Sequence, residues 1–135
     1  GPAEAGGPAV ILRVPRAPAG VRIARAAVTC EATAAGLTID RIDDARQVVA
    51  ELAALWPTLD DEVEGSVTFE LARLSGLLRI LATASTAAEP DQSSFAWSLI
   101  GELSDAVELV PGADGGSVMA VIAAPAPVTA PAEQA

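Results

Sequence analysis

The chain contains no histidine, lysine, tyrosine or asparagine, a single cysteine, and only two tryptophans and two phenylalanines in 135 residues. Each absence removes a chemistry. Without histidine there is no Ser-His or Cys-His nucleophilic pair, and without lysine there is neither a P-loop nor a Schiff base. One thiol, Cys30, makes no internal disulfide and no metal cluster; it is expected on the buried side of a helix as an inert small hydrophobe. No run reaches the roughly 18 consecutive apolar residues of a membrane span, and no charged segment precedes an apolar signal-like stretch. A cytoplasmic location without membrane contact is therefore expected.

What is present is an apolar, acidic chain. About half of it is hydrophobic, at 51%, and the net charge is −10. With so few aromatics, the core must come from Val, Leu, Ile and Ala, in one domain. The charge argues against nucleic acid as a partner, because that binding depends on neutralising phosphates, and it permits basic protein partners. All eight basic residues are arginine. Avoidance of AT-rich codons points to a high-GC bacterial, actinobacteria-like coding bias.

Residues 1–8 resemble a tag scar and are set aside as disordered. Ala9 to Val14 reads as a first strand bounded by prolines, and a candidate for edge pairing. An alanine-rich helix follows, with Val21, Ile23, Ala27 and Cys30 inward, Arg22 and Arg25 on its solvent-facing side, and its stop at Gly36. Thr38 to Trp56 is the clearest helix. Ile42, Ala45, Val49, Leu52 and Trp56 form an apolar stripe widened by Val48 and Leu55, Asp40 is the expected cap, and Asp43 and Asp44 fall in the first turn. Asp44, Gln47 and Glu51 take the other side. An acidic loop, Pro57 to Gly65, leads into a strand in which Val67, Phe69 and Leu71 alternate with polar or small residues. Ser75-Gly76 joins it to a second strand as a hairpin. A loop over 86–94 precedes a helix capped by Ser93 or Ser94, with Trp97, Ile100 and Leu103 at helical spacing. Strands near 106–110 and 117–124 close the domain, and 125–135 is an Ala/Pro-rich tail expected to be disordered. The order predicts an α+β two-layer sandwich over 9–124: a mixed, mostly antiparallel sheet with helices on one face.

Glu51 and Leu55 are spaced one helical turn apart, which would turn both side chains toward the same space. With "AGVRIARAAV", "DDARQVVAEL" and "LSDAVELVPGADGGSVMAVI", where Asp105, Glu108 and Gly116-Ser117 match, the pattern resembles the RsbW-like anti-sigma factors and serine-protein kinases of the GHKL (histidine-kinase-like ATPase) superfamily, whose Bergerat fold is such a sandwich. The resemblance implies Glu-x-x-x-Asn on the second helix, with the glutamate as general base and asparagine holding magnesium. Here Glu51 falls on the glutamate and Leu55 on the asparagine. The family's Asp-x-Gly-x-Gly adenine-reading segment corresponds to "ATASTAAEPDQSS", with Ala84 or Ser85 near the aspartate's place. Its glycine-rich lid is replaced by "SSFAWSL".

Glycine turns let backbone amides approach phosphates, whereas Phe95 and Trp97 can fill such a site. Both aromatics are expected as core filler, with a binding hot spot as the alternative. A carboxylate without magnesium ligand, adenine reader or phosphate loop has no phosphoryl group to act on, so Glu51 is read as vestigial. The expectation is a non-enzymatic regulatory domain that needs no cofactor or metal. It resembles an anti-sigma factor that has lost its ATP site, and it sequesters a protein partner, a sigma factor or its regulator. The resemblance implies partner contacts on the first helix, at Arg22 and Arg25. Two alternatives stay open: a divergent ATP-binding serine protein kinase, and a homodimeric structural or scaffolding module.

Overall fold

The computed structural model describes residues 9–57, 65–112 and 115–125. The expected N-terminal scar, most of the acidic loop and nearly all of the Ala/Pro tail lie outside the described residues. The elements run β1 (Val10–Pro15), α1 (Pro18–Ala34), α2 (Ile39–Ala53), β2 (Ser66–Leu74), β3 (Leu77–Ala84), α3 (Phe95–Leu103), β4 (Ala106–Val110) and β5 (Ser117–Ala123). This is the order read from the sequence. The five strands form one sheet, β1-β2-β3-β5-β4, with the helices packed against one face. All four strand pairings among the described residues are antiparallel, so the two-layer α+β sandwich shows there no parallel pair of the kind a mixed sheet would carry.

Strict alternation sets the inner face of the sheet. Val67, Phe69 and Leu71 of β2, Leu78, Ile80 and Ala82 of β3, and Val118, Ala120 and Ile122 of β5 are all fully buried, as period-two patterning requires of a sheet covered on one side. The β2–β3 hairpin turns on Ser75 and Gly76, with Leu74 opposite Leu77. Its turn is tied to both layers, since the Gly76 amide donates to the Ala35 carbonyl at the end of α1 and the Gly76 carbonyl accepts from the Ala124 amide.

Small residues bring α1 onto the sheet. Its buried positions are Gly20, Ala24, Val28 and Ala32, one every four residues. Ile23 is 57% exposed and Cys30 is also exposed, so neither points inward as expected. The reason is steric: where a helix approaches its neighbour on Gly and Ala, bulk no longer marks the buried face, and the larger apolar side chains flank the seam or leave it. Gly20 sits so close to the end of β1 that a Cβ there would overlap the Pro15 carbonyl. Gly36, at φ +83°, ends the helix where expected.

The second helix buries Ala45, Val48, Val49, Leu52 and Ala53. Its cap is Thr38, whose hydroxyl accepts from the Arg41 amide at 3.3 Å. Asp40 therefore lies inside the first turn and not at the cap, and Asp43 and Asp44 fall beyond that turn. Ser94 caps α3, accepting from the Trp97 amide at 3.2 Å. That cap sets the helix phase so that Ala96 and Ile100 face inward and Phe95, at 78% exposure, does not. Phe95 is thus not core filler, while Trp97 packs half-buried against the core.

Gly20→Ala should lower stability by at least about 2 kcal/mol, because the new methyl group meets backbone and not a side chain that can move aside. Gly101, on the exposed side of α3, has open space around its Cα, so Gly101→Ala should raise stability by about 0.5–1 kcal/mol. Denaturant melts of the two variants check the opposite signs.

Candidate functional site

The C-terminal end of α2 is where the sequence concentrates its chemistry. Helical geometry stops at Ala53, with Ala54 as the C-cap, because Pro57 disfavours helical conformation at Trp56. Leu55 lies beyond the helix, so it is not the surface neighbour of Glu51 that the four-residue spacing suggests. It is 1% exposed, as is Trp56, and both belong to the hydrophobic core. Glu51 stays half-buried on the helix, its carboxylate accepting from the Gln47 amide at 2.5 Å. A carboxylate and a magnesium-holding side chain facing one space are not what these residues form.

The remaining positions of the implied nucleotide site are likewise used for structure. Ala84, the last residue of β3, is 2% exposed and in the core. The Ser85 hydroxyl accepts from the Ser66 amide at 2.8 Å. The loop before α3 is fastened over the end of α2: the Asp91 amide donates to the Leu55 carbonyl at 3.0 Å. Asp91 then organises the turn into the helix, its carboxylate accepting from the Ser93 amide at 3.0 Å and the Ser93 hydroxyl at 2.6 Å. Those two bonds, the hydroxyl's first, hold its pKa below the ordinary carboxylate value. The Asp91 carbonyl accepts from the Ser94 hydroxyl at 2.7 Å. The segment that the sequence resemblance aligns with a glycine-rich stretch is an Asx turn feeding a helix cap.

Two arginines that sequence reasoning passed over do structural work. Arg41 donates to the Ala123 carbonyl at 2.9 Å, the Leu103 carbonyl at 3.0 Å and the Asp44 carboxylate at 2.7 Å, and it pairs with Asp105. Asp105 in turn accepts from the Ala123 amide at 2.7 Å. This clamp joins α2, the end of α3 and the edge hairpin, and it gives Asp105 a structural use. Glu108, the neighbouring match, is exposed on the edge strand β4, and Ser117 shares a 2.6 Å hydrogen bond with Thr83. Arg16 reaches the other end of α2, donating to the Ala53 carbonyl at 3.1 Å and also to the Trp56 carbonyl. It satisfies carbonyls that a terminating helix leaves unpaired, with a charge suited to that end of the dipole. The three-residue Arg41–Asp44 spacing was a readable signal; for Arg16, flanked by prolines, there was none.

Arg16 also opens onto a cleft of about 480 Å³ bounded by Ala17, Pro18, Val21, Arg22 and Arg25 on one side and Ala50, Ala53 and Ala54 on the other. The two arginines expected on the first helix thus meet a third. Arg22 is exposed, but Arg25 is half-buried, so the expectation that it faces solvent is corrected. Its Nε is buried without a hydrogen-bond partner. Neither Arg22 nor Arg25 is paired with a carboxylate among the described residues. On a chain of net charge −10, the cleft gathers three arginines, none of them paired with a carboxylate among the described residues.

Comparison with protein-family models gives no match. Comparison with curated proteins gives no significant similarity.

Leu55→Asn puts an amide into a fully buried apolar position. It should cost about 3–5 kcal/mol, from the lost packing and an unpaired polar group together. Thermal unfolding of the variant with and without magnesium and ATP checks this, the nucleotide being expected to restore none of the loss.

Proposed function

We propose that this domain is a regulatory protein-binding module, resembling an anti-sigma factor of the GHKL superfamily that has given up its nucleotide site. It sequesters a cytoplasmic partner in transcription regulation and performs no phosphoryl transfer. The observation that carries this reading is the fate of Leu55: the position where the resemblance calls for a magnesium ligand is 1% exposed and bridged through its carbonyl to the Asp91 loop. A metal-bound triphosphate requires polar ligands and room for backbone amides at the phosphates. Leu55 and Ala84, both within the core, supply neither.

What the domain offers instead is a binding surface. Arg22 and Arg25 stand beside the α1 cleft on an otherwise acidic molecule, and guanidinium groups in such a setting recognise carboxylates through paired hydrogen bonds. The surrounding acidic surface meanwhile attracts a partner's basic region and speeds encounter, an effect that salt weakens.

The test is affinity capture from a high-GC bacterium that carries the gene, followed by affinity measurement on the purified pair. The wild type should retain a sigma factor or its regulator. Arg22→Glu, an exposed change that leaves melting unaltered, should weaken that complex by about 1–3 kcal/mol. Repeated capture without any transcription protein, or a complex indifferent to Arg22→Glu, would overturn the proposal.

A further inference from the structure

We propose that the cleft between the start of α1 and the end of α2 binds a small organic anion: a carboxylate or phosphate head on a short apolar body. This goes beyond the partner reading and does not depend on it. The cleft's volume, about 480 Å³, lies in the range of small-molecule sites, which are typically concave, largely apolar and equipped with a few polar anchors. Its walls are Pro18, Val21, Ala50, Ala53 and Ala54, and its polar anchors are the three arginines.

The anchors are not equivalent. Arg16 is held at the Ala53 and Trp56 carbonyls, so its guanidinium is fixed in place and partly satisfied before any ligand arrives. Arg25 is half-buried with its Nε unpartnered. Its guanidinium lines the cleft but the Nε itself has no surface open to it, so the charge of the group, already partly stripped of water, is what an anion meets. Arg22, exposed at the rim, adds charge without obstructing entry. A planar fork suits either a carboxylate or a phosphate, so the head group is left to the experiment. The apolar body is required by the alanines: room exists beside Ala50 and Ala54 because no larger side chain occupies it, and a bare inorganic ion would leave that surface in water.

The experiment is calorimetric titration of the full chain with hexanoate and with hexyl phosphate, alongside inorganic phosphate and hexan-1-ol as head-only and body-only probes. At least one of the two amphiphilic anions should bind saturably, and at least about tenfold more tightly than either control probe. Which of them binds identifies the head group. Arg22→Gln and Arg25→Gln should each weaken it about tenfold, and Ala50→Leu, which fills the apolar side, should do likewise with all three arginines intact. If Arg25→Gln proves unfolded by melting, the exposed Arg22→Gln and the filling variant carry the test. The proposal is overturned if neither anion saturates, if inorganic phosphate or hexan-1-ol binds as tightly as the amphiphile, or if folded Arg22→Gln and Ala50→Leu bind it unchanged. A partner complex measured separately stands or falls on its own.

Discussion

The enclosure of α2 is the constraint on which the rest of the structure depends. It packs between α1 and α3 and lies on the sheet at β3 and β5, with Ala45, Val48, Val49, Leu52 and Ala53 all buried. In a chain with so few aromatics, that seam and the inner face of the sheet are the main source of hydrophobic stabilisation. Pro57 forces the helix to stop, yet two large apolar residues, Leu55 and Trp56, still stand between the helix end and the proline, and the chain buries them by turning both inward. The same turn releases carbonyls that Arg16 and the Asp91 amide take up. Core packing and the closing of the helix end are therefore one event.

The arginines divide along the same lines. Arg41 and Arg16 are consumed by structure, one clamping the α3–β4 corner and the other finishing α2. Arg22 and Arg25 are left without carboxylate partners among the described residues, although acidic residues outnumber basic ones by 18 to 8. Positive charge without a carboxylate partner among the described residues is available for recognition on so acidic a molecule. Its position beside a concave apolar surface, and not on a flat helix face, makes a defined ligand as reasonable a target as a protein.

Most of the architecture was legible in the sequence because the strands obey a period of two: Val67, Phe69 and Leu71 could be assigned to the core by alternation alone. The helical stripe of α2 was equally clear, and Ser94 was readable as a cap. The face of α1 was not, since hydrophobic size points to Ile23 and Cys30 whereas close packing selects Gly20, Ala24 and Ala32. Phe95 departs from its hydrophobicity for a related reason: cap geometry sets the phase of α3. At the candidate site, the missing asparagine and glycines were visible as letters, but the closure of the Asp91 loop onto Leu55 was not. The cleft is not legible in the sequence, because its members, Arg16, Arg22, Arg25 and Ala50, are brought together only by the packing of α1 on α2.

If core side chains occupy what would be the nucleotide position, the domain has no means of holding a magnesium-bound triphosphate. The most direct measurement is calorimetric titration of the wild-type chain with magnesium and ATP at millimolar concentration, paired with melting under the same conditions. A ligand that binds only the folded state raises its stability in proportion to RT ln(1 + [L]/Kd). The expected result is no saturable heat and an unchanged midpoint. Saturable binding at micromolar Kd with a raised midpoint, retained in Arg22→Gln, would contradict it.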